Sequence, residues 1–315
     1  MNRISTNSET QLYPLPRNGK WGYIDASGTW IIAPQFDAAC HFTQDIALVK
    51  HSGKIAFIDR RGLPVSETSY LDSLGFWNGL APVLVKTYEG GKWGVIDLTM
   101  NFIIEPRFEF VGSFFEGVMR ACEEGSWGYL DEQGQWALRP KYDWAGDFID
   151  GLARVQTIER GILTRFINRD FSYAFEGVFE NAEDFSDGIA PVFEKDKWGL
   201  LDANGKMLVN YKFLNVGDHK EGWTPVELRP NEWGFINRAN ELLCEQTFSA
   251  AGSFCEGLAP VCVGELWGFI NTSGAMAIGP RFDHVQEFVN ALALFRQGQH
   301  VGYINKEGQT VAQAT

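Results

Sequence analysis

Histidine and cysteine are the residues of this sequence whose chemistry would be easiest to recognise, because they act as nucleophiles, general bases and metal ligands. The five histidines and five cysteines include no Cys-x-x-Cys pair and no spacing typical of a zinc site or a catalytic triad. Cys40 and His41 are adjacent, so their side chains would diverge on a strand. We expect the cysteines to be buried thiols. The sequence predicts no catalytic residue, no metal and no cofactor.

Carboxylates could supply general acid and base chemistry if two of them met in one site. They cluster at Glu176, Glu180, Glu183, Asp184 and Asp187. Acidic side chains are mostly exposed in folded proteins, so solvated turn residues are the favoured interpretation. An enzyme with an unrecognised site is retained only as an alternative.

The elements that would position any site come from a repeated hexapeptide, first seen as Lys20-Trp21-Gly22-Tyr23-Ile24-Asp25. Its Trp-Gly pair recurs at Trp93, Trp127, Trp198, Trp233 and Trp267. The closing Asp or Asn occurs nine times, at Asp25, Asp59, Asp97, Asp131, Asn168, Asp202, Asn237, Asn271 and Asn305. A period of about 35 residues indicates stacked repeats that form one body. We predict a tail over residues 1–10 and a single domain over 11–315.

Local chemistry predicts three strands in each repeat. Asp25 to Gly28 is typical of a type I turn and would join the Trp-Gly strand to a following strand. A Leu-Ala-Pro-Val strand begins 20 residues after each of the first eight anchors, and a connection of variable length leads from it to the next Trp-Gly strand. Its proline, as at Pro82, predicts that the strand lies at an edge or exposes that position.

Aromatic residues at fixed positions predict the core. The Trp-Gly pair is interpreted as a packing device, with the missing side chain of Gly22 or Gly94 making room for a neighbour's ring. His219 replaces a phenylalanine that recurs in seven repeats. A hydrogen-bonded neutral imidazole is expected there, with a local polar pocket as the alternative.

The repeats could form either an open array or a ring. Three strands in about 35 residues are fewer than the four strands of a usual propeller blade. We therefore predict an all-β fold of about nine three-stranded antiparallel repeats in an open twisted, superhelical array. A closed propeller-like ring is the alternative, because a different choice of unit leaves one strand at each end that could pair.

The motif resembles that of the bacterial WG-repeat family, whose units combine Lys-Trp-Gly-Tyr-Ile-Asp with a proline, an aromatic-Asp pair and Phe-x-x-Gly-Leu-Ala-x-Val. Residues 20–49, 92–121 and 266–295 follow this pattern most closely. The resemblance covers almost the whole chain and is weaker around Ile55, Thr164 and Tyr211. It implies a repeat scaffold and supplies no catalytic residues.

Composition narrows the classes of partner. A formal net charge of −13 argues against nucleic acid, which needs a basic stripe, and favours encounter with a basic protein. Met1 to Thr10 lacks the apolar core of a signal peptide, and no apolar run approaches the length of a membrane span. A cytoplasmic location and no contact with membranes are therefore expected.

The variable connections are the best candidates for a binding surface, because loops on a rigid scaffold can change without disturbing the core. The predicted partner-binding residues are Lys86, Tyr88, Glu89, Glu123, Glu124, Glu159, Arg160, Glu194, Asp196, Arg229 and Asn231. The predicted function is a non-enzymatic recognition scaffold, either a cytosolic immunity protein that neutralises a basic secreted toxin or an adaptor in a secretion system. Glycan or cell-wall binding is the alternative, through Trp30, Trp77, Trp136, Trp144 and Trp223.

Overall fold

A computed structural model describes residues 11–88, 90–159 and 161–314. Over these residues the chain forms nine small antiparallel sheets, arranged as the blades of a closed β-propeller. Blades 1 to 3 contain β1 (Tyr13–Arg17), β2 (Lys20–Ile24), β3 (Trp30–Phe36); β4 (Ala38–Ala39), β5 (Ala47–His51), β6 (Lys54–Ile58); and β7 (Asp72–Ser73), β8 (Leu80–Thr87), β9 (Gly90–Asp97), β10 (Phe102–Phe108).

The strands of blades 4 to 6 are β11 (Phe110–Val111), β12 (Met119–Glu123), β13 (Ser126–Leu130), β14 (Trp136–Tyr142); β15 (Trp144–Ile149), β16 (Leu152–Ile158), β17 (Ile162–Asn168); and β18 (Asn181–Ala182), β19 (Ile189–Glu194), β20 (Lys197–Asp202), β21 (Met207–Phe213). Blades 7 to 9 contain β22 (Asn215–Val216), β23 (Thr224–Arg229), β24 (Glu232–Ile236); β25 (Ala250–Ala251), β26 (Leu258–Val263), β27 (Leu266–Asn271), β28 (Met276–Phe282); and β29 (His284–Val285), β30 (Ala293–Gln297), β31 (His300–Ile304), β32 (Thr310–Ala314).

A complete blade has four strands, which we call A to D in chain order. Strand B is the Leu-Ala-Pro-Val strand, C is the Trp-Gly strand and D follows the Asp-x-x-Gly turn, so these three confirm the three predicted strands. The short strand A was not predicted, because a pairing of mostly two residues leaves no periodic pattern in the sequence. Antiparallel order places all B–C hairpins and D-to-A connections at one end of the ring, the hairpin face. The A–B and C–D turns lie at the other end, the turn face.

The glycine of the Trp-Gly pair allows strand D to lie close to strand C. A Cβ on Gly94 would lie 2.6 Å from the Ile104 carbonyl oxygen and 2.9 Å from the Pro106 nitrogen. Two residues of β9 oppose four residues of β10 here, so β10 has a bulge over the glycine. The predicted role of this glycine in admitting a neighbour's ring was therefore wrong, since the backbone of the same blade occupies the space.

The blades without a regular strand D support this explanation. Blades 2, 5 and 7 pair at the D position only through isolated bridges, such as Ile55 with Tyr70. Ala56 and Arg165 replace the glycine in blades 2 and 5, and a Cβ on Gly234 of blade 7 would meet only the side chains of Leu228 and Leu242. These weaker repeats include the regions around Ile55 and Thr164 where the family pattern was poorest.

The ring closes by packing of blade 9 against blade 1. Tyr13 and Leu15 share a buried cluster with Leu292 and Tyr303. The Tyr303 hydroxyl donates to the Pro14 carbonyl at 3.0 Å, and the Tyr13 hydroxyl donates to the Asn290 carbonyl at 2.6 Å. The open array preferred from sequence is thus wrong, and the closed ring given as the alternative is confirmed. Sequence could not decide between them because local patterns specify strands but not the angle between blades.

An ion pair between non-adjacent blades locates the axis of the ring. Lys220 of blade 7 lies 3.5 Å from the Glu287 carboxylate of blade 9, with blade 8 between them. Blades that are not neighbours can approach each other only near the axis, so the segments following the A strands line the centre.

A belt of side chains joins successive blades on the turn face. A residue two or three positions before strand B has φ between 46° and 54° in six blades, at Gln44, Glu116, Asp150, Asp187, Glu221 and Glu256. Each of these side chains accepts a hydrogen bond from the backbone N–H of the matching turn in the next blade, at distances from 2.7 Å for Gln44 to 3.2 Å for Glu116. This contact explains why the 20-residue spacing never varies.

The prolines of strand B neither mark an edge nor are exposed, since Pro82 and its counterparts are buried, which corrects that prediction. The order of blade 3 is β10-β9-β8-β7, so Pro82 lies on an internal strand. Its carbonyl accepts from the Leu74 N–H at 3.2 Å. The nitrogen and carbonyl of a strand residue point to the same side. The side of Pro82 that lacks an N–H therefore faces strand A. Because strand A ends at Ser73, no carbonyl of that strand is left without a donor.

Closure at the junction of blades 9 and 1 can be tested with one hydroxyl. We expect Tyr303→Phe to lower the free energy of unfolding by about 1 kcal/mol, since the buried Pro14 carbonyl loses its donor. Tyr129→Phe is the matched control, because the Tyr129 hydroxyl donates to the Gly146 carbonyl of the next blade at 2.8 Å. Chemical denaturation should give similar losses for both variants. A loss for Tyr129→Phe alone would show that blades 1 and 9 separate in solution.

Candidate functional site

The hairpin face brings the predicted partner-binding residues to one end of five consecutive blades. They lie at the B–C tips of blades 3 to 7: Lys86 and Tyr88; Glu123 and Glu124; Glu159; Glu194 and Asp196; Arg229 and Asn231. Glu123 and Glu194 are half-buried and the other seven are exposed. The predicted residues Glu89 and Arg160 lie outside the described residues. The prediction that the tips share one edge is consistent with this arrangement, while their binding role stays a prediction.

Carboxylates from the D-to-A connections hold several tips in place. Asp37 accepts from the Gly53 N–H at 3.1 Å and pairs with Lys20 of the preceding tip. The Lys20 hydrogen bond, with that of Gly53, holds the pKa of Asp37 below its usual value. Glu109, Asp143 and Asp283 cap the tips of blades 4, 5 and 9 in the same way. The acidic residue of the aromatic-Asp pair was the sequence signal for these contacts, and its role was missed.

The Trp-Gly tryptophans lie between the tips and the core. Trp93 is buried, whereas Trp21, Trp127, Trp198, Trp233 and Trp267 are half-buried. The residues two positions later are fully enclosed, for example Tyr129 and Phe269 at 0% exposure. Of the six tryptophans assigned to the core from sequence, Trp93 is therefore the most enclosed. Their exposed edges belong to the hairpin face.

Two arcs of opposite charge occupy eight blades of the hairpin face; the described tip of blade 3, between them, contains Lys86 and Lys92. The described tips of blades 4 to 8 contain seven acidic and three basic residues: Glu123, Glu124, Glu159, Glu194, Asp196, Glu232 and Glu265 with Lys195, Lys197 and Arg229. The tips of blades 9, 1 and 2 contain no acidic residue; they contain Arg296, His300, Arg17, Lys20, Lys50, His51 and Lys54. We call these the acidic arc and the basic arc. The sequence contains both sets, but only ring closure makes blade 9 continuous with blade 1.

A cation–aromatic stack connects blades 4 to 6. Arg120 lies 5.8 Å and Arg154 lies 4.9 Å from the ring centre of Trp144. Arg120 pairs with Asp147 and Arg154 with Asp184, at 3.1 and 3.0 Å. Burial raises the pKa of Asp147, although Arg120 opposes that shift. Each of the two guanidinium groups is therefore paired with a carboxylate within the stack.

The remaining sequence candidates do not assemble into a chemical site. Asp184 and Glu183 pair with Arg154, while Asp187 belongs to the belt on the turn face, so the acidic cluster is divided. The tryptophans proposed for glycans lie on different strands and turns, with Trp144 covered by two arginines. Among the described residues, no group of three or more His, Cys, Asp or Glu side chains could hold a metal ion.

The thiol and imidazole groups differ in burial and in their partners. All five cysteines are free thiols; Cys122 and Cys262 are buried as expected, but Cys40 is exposed and Cys244 and Cys255 are half-buried. Burial and the adjacent Glu109 raise the pKa of Cys122 to about 11, which disfavours the reactive thiolate. His219 is buried and its Nδ1 lies 2.8 Å from the Thr224 hydroxyl. The hydrogen-bonded imidazole expected from sequence is therefore present.

Comparison of the sequence with protein families gives one match, described as WG containing repeat. It covers residues 21–54, 93–126, 127–157, 165–198, 233–267 and 267–299, which is more than half of the chain. No curated protein sequence matches this chain. In the described part of the chain, no helix has the length and apolar character needed to cross a membrane.

Solved structures share the fold at low sequence identity. The crystal structure of the eukaryotic initiation factor aligns with a TM-score of 0.67 and 8% identity, over 98% of each chain. The dihydro-heme d1 dehydrogenase NirN aligns with a TM-score of 0.51 and 10% identity, over 97% of this chain and 73% of that one. BamB from Moraxella catarrhalis covers 86% and 91% at 12% identity, with a TM-score of 0.47. These similarities concern the fold alone.

Proposed function

The chain belongs to the WG containing repeat family, and on that premise we propose that it is a non-enzymatic scaffold that binds a basic protein through the acidic arc of its hairpin face. The observation that supports this proposal is the alignment of exposed acidic tips on consecutive blades. A propeller presents such tips on a rigid frame, so little order is lost on binding. Charge of one sign along an arc also accelerates encounter with a partner of the opposite sign.

The finer proposal is a cytoplasmic neutraliser of a basic secreted toxin, or an adaptor in a secretion system. Glu123, Glu124, Glu159, Asp196 and Glu265 support it, because none of them is engaged in an ion pair within the described residues. By contrast, Glu194 and Glu232 pair with Lys195 and Arg229. Unpaired carboxylates keep their attraction for cations of a partner.

Charge reversal at two tips tests the proposal. We expect Glu124→Lys/Asp196→Lys to lose a basic protein that the unmodified chain captures from an extract of its own cells, because both exposed carboxylates face the partner. The matched control is Glu132→Lys/Glu307→Lys, which makes the same charge change at exposed positions of the turn face. Equal loss with both variants would indicate non-specific attraction. Retention of the partner by the tip variant would contradict the proposal.

A further inference from the structure

The junction of blades 9 and 1 contains an apolar groove on the hairpin face. Its volume is about 460 Å³, and its apolar walls are Pro16, Trp21, Leu294, Phe295 and Val301. Phe295 is buried, while Pro16, Trp21, Leu294 and Val301 are half-buried. Apolar surface that is concave and reachable from solvent is typical of a binding site rather than of an ordinary surface.

One substitution within the repeat contributes to the groove at this junction. Val301 occupies the position of the Trp-Gly tryptophan in blade 9. In blade 4 the matching Trp127 lies 5.5 Å from the ring of Phe110 and 5.7 Å from the Arg120 guanidinium, so the space is filled. In blade 8, Trp267 similarly packs against His284. The loss of an indole ring in blade 9 leaves its space open.

Basic side chains surround the groove. Arg296 and His284 complete its lining, and both are exposed. Arg17 and His300 line a second hollow of about 350 Å³ at the same junction, directly beside Pro16 and Val301 in the chain. Among the described residues, Arg17 and Arg296 form no ion pair and no acidic side chain lines either hollow. Although the chain as a whole has a net charge of −13, the unpaired basic groups at this junction favour binding of an acidic ligand.

The surroundings distinguish an acidic peptide from a nucleic acid. A nucleic acid extends its phosphate charge along a strand and needs a continuous basic track. The basic arc spans three blades, the described part of the blade 3 tip adds Lys86 and Lys92, and the acidic arc beyond that tip would repel a longer polyanion. A short segment that combines one large apolar side chain with flanking carboxylates matches both the groove and its rim.

We propose that the groove between blades 9 and 1 binds an acidic peptide segment, with a large apolar side chain against Trp21 and Val301 and carboxylates beside Arg17 and Arg296. This surface lies apart from the acidic arc and takes a ligand of opposite charge. Failure of one proposal therefore leaves the other unaffected.

Fluorescence anisotropy with labelled peptides of about ten residues tests the proposal. The probes are a glutamate-rich peptide with a central Phe, the same peptide with a central Ala, and a lysine-rich peptide with the central Phe. The first should bind, the second should bind at least about tenfold more weakly, and the third should not bind. Equal binding of the Phe and Ala peptides would overturn the role of the groove.

Variants of the full chain sharpen the test. Val301→Trp introduces the residue that other blades carry, so it should preserve the fold while weakening binding at least about tenfold. Arg17→Glu/Arg296→Glu should have a similar effect. Lys195→Glu/Lys197→Glu is the matched control, with the same charge change on the acidic arc, and should stay within about twofold. Thermal unfolding verifies that each variant is folded; unchanged affinity in folded Val301→Trp would refute the proposal.

Three other outcomes would also overturn it by identifying another occupant. A short oligonucleotide that binds more tightly than the peptide would point to nucleic acid. A dimer in sedimentation that Val301→Trp dissociates would point to a second copy of this chain. Binding of the peptide only after removal of residues 1–10 would assign the groove to that segment.

Discussion

Replacing Gly94 with alanine is expected to lower the free energy of unfolding by about 3 kcal/mol, because the new Cβ would lie against backbone that cannot move independently. The Ile104 carbonyl oxygen is 2.6 Å and the Pro106 Cα 3.1 Å from that Cβ position. The bulge of β10 would have to withdraw, with loss of its pairing to β9. Chemical denaturation of the purified variant measures the change.

Gly234→Ala is the matched control for this substitution. The nearest atoms to its Cβ position are the ends of the Leu228 and Leu242 side chains, at 3.2 and 3.3 Å. Flexible side-chain ends can shift, so we expect a change within about 1 kcal/mol. Equal effects at the two glycines would refute the idea that Trp-Gly repeats require glycine for the close approach of strand D.

Replacing both residues of the His219 and Thr224 pair, by Phe and Ala, is expected to recover stability that either single replacement removes. Blade 7 alone has this pair, whereas six other blades have phenylalanine and alanine at the same positions, as in Phe254 and Ala259. Thr224 is fully buried and His219 is 2% exposed. His219→Phe or Thr224→Ala alone leaves a buried polar group without its partner, at a cost of about 2 kcal/mol.

The double variant removes both polar groups together and restores the combination of the other blades. A double-mutant cycle measured by chemical denaturation should therefore give a coupling energy of about 2 kcal/mol. Additive single effects would show that the two side chains do not interact in solution.

The same pair gives the fold a dependence on pH. Burial lowers the pKa of His219 below its ordinary value of 6.5, and the charge of Arg238 acts in the same direction. As pH falls below 6.5, the unfolded chain takes up a proton that the folded chain resists, so stability is lost. Above that value the contribution is constant. Unfolding midpoints measured from pH 8 to pH 5 should fall at low pH, and less in His219→Phe/Thr224→Ala; equal slopes would contradict this assignment.

Local sequence patterns predicted the strands of this fold better than their assembly. The Asp-x-x-Gly turn and the fixed aromatic positions were sufficient for strands B, C and D, because their signals lie within a few residues. Ring closure depends on the angle between blades and on contacts such as Tyr303 with Pro14, which no local pattern reports. The close approach at Gly94 was also missed, since the partner backbone is supplied by residues ten positions away.

The candidate surface was predictable in position but not in organisation. The variable length of the B–C connections identified them in the sequence as candidate binding loops. The structure places the described connections on one face of the ring. The two arcs could not be predicted, because they depend on blades 9, 1 and 2 being neighbours. The groove at Val301 had only one sequence signal, the valine in place of the Trp-Gly tryptophan.

The belt on the turn face determines where this molecule can accommodate change. Glu116 and its counterparts bond to turns of the next blade, so one inserted residue there would misalign two blades at once. The B–C tips make no contact that requires a fixed length. Their hairpins already differ in length, since β8 and β9 extend to Thr87 and Gly90. Mutation can therefore lengthen or diversify the hairpin face while the turn face keeps the ring in register. New recognition properties would arise on one side of the disc only.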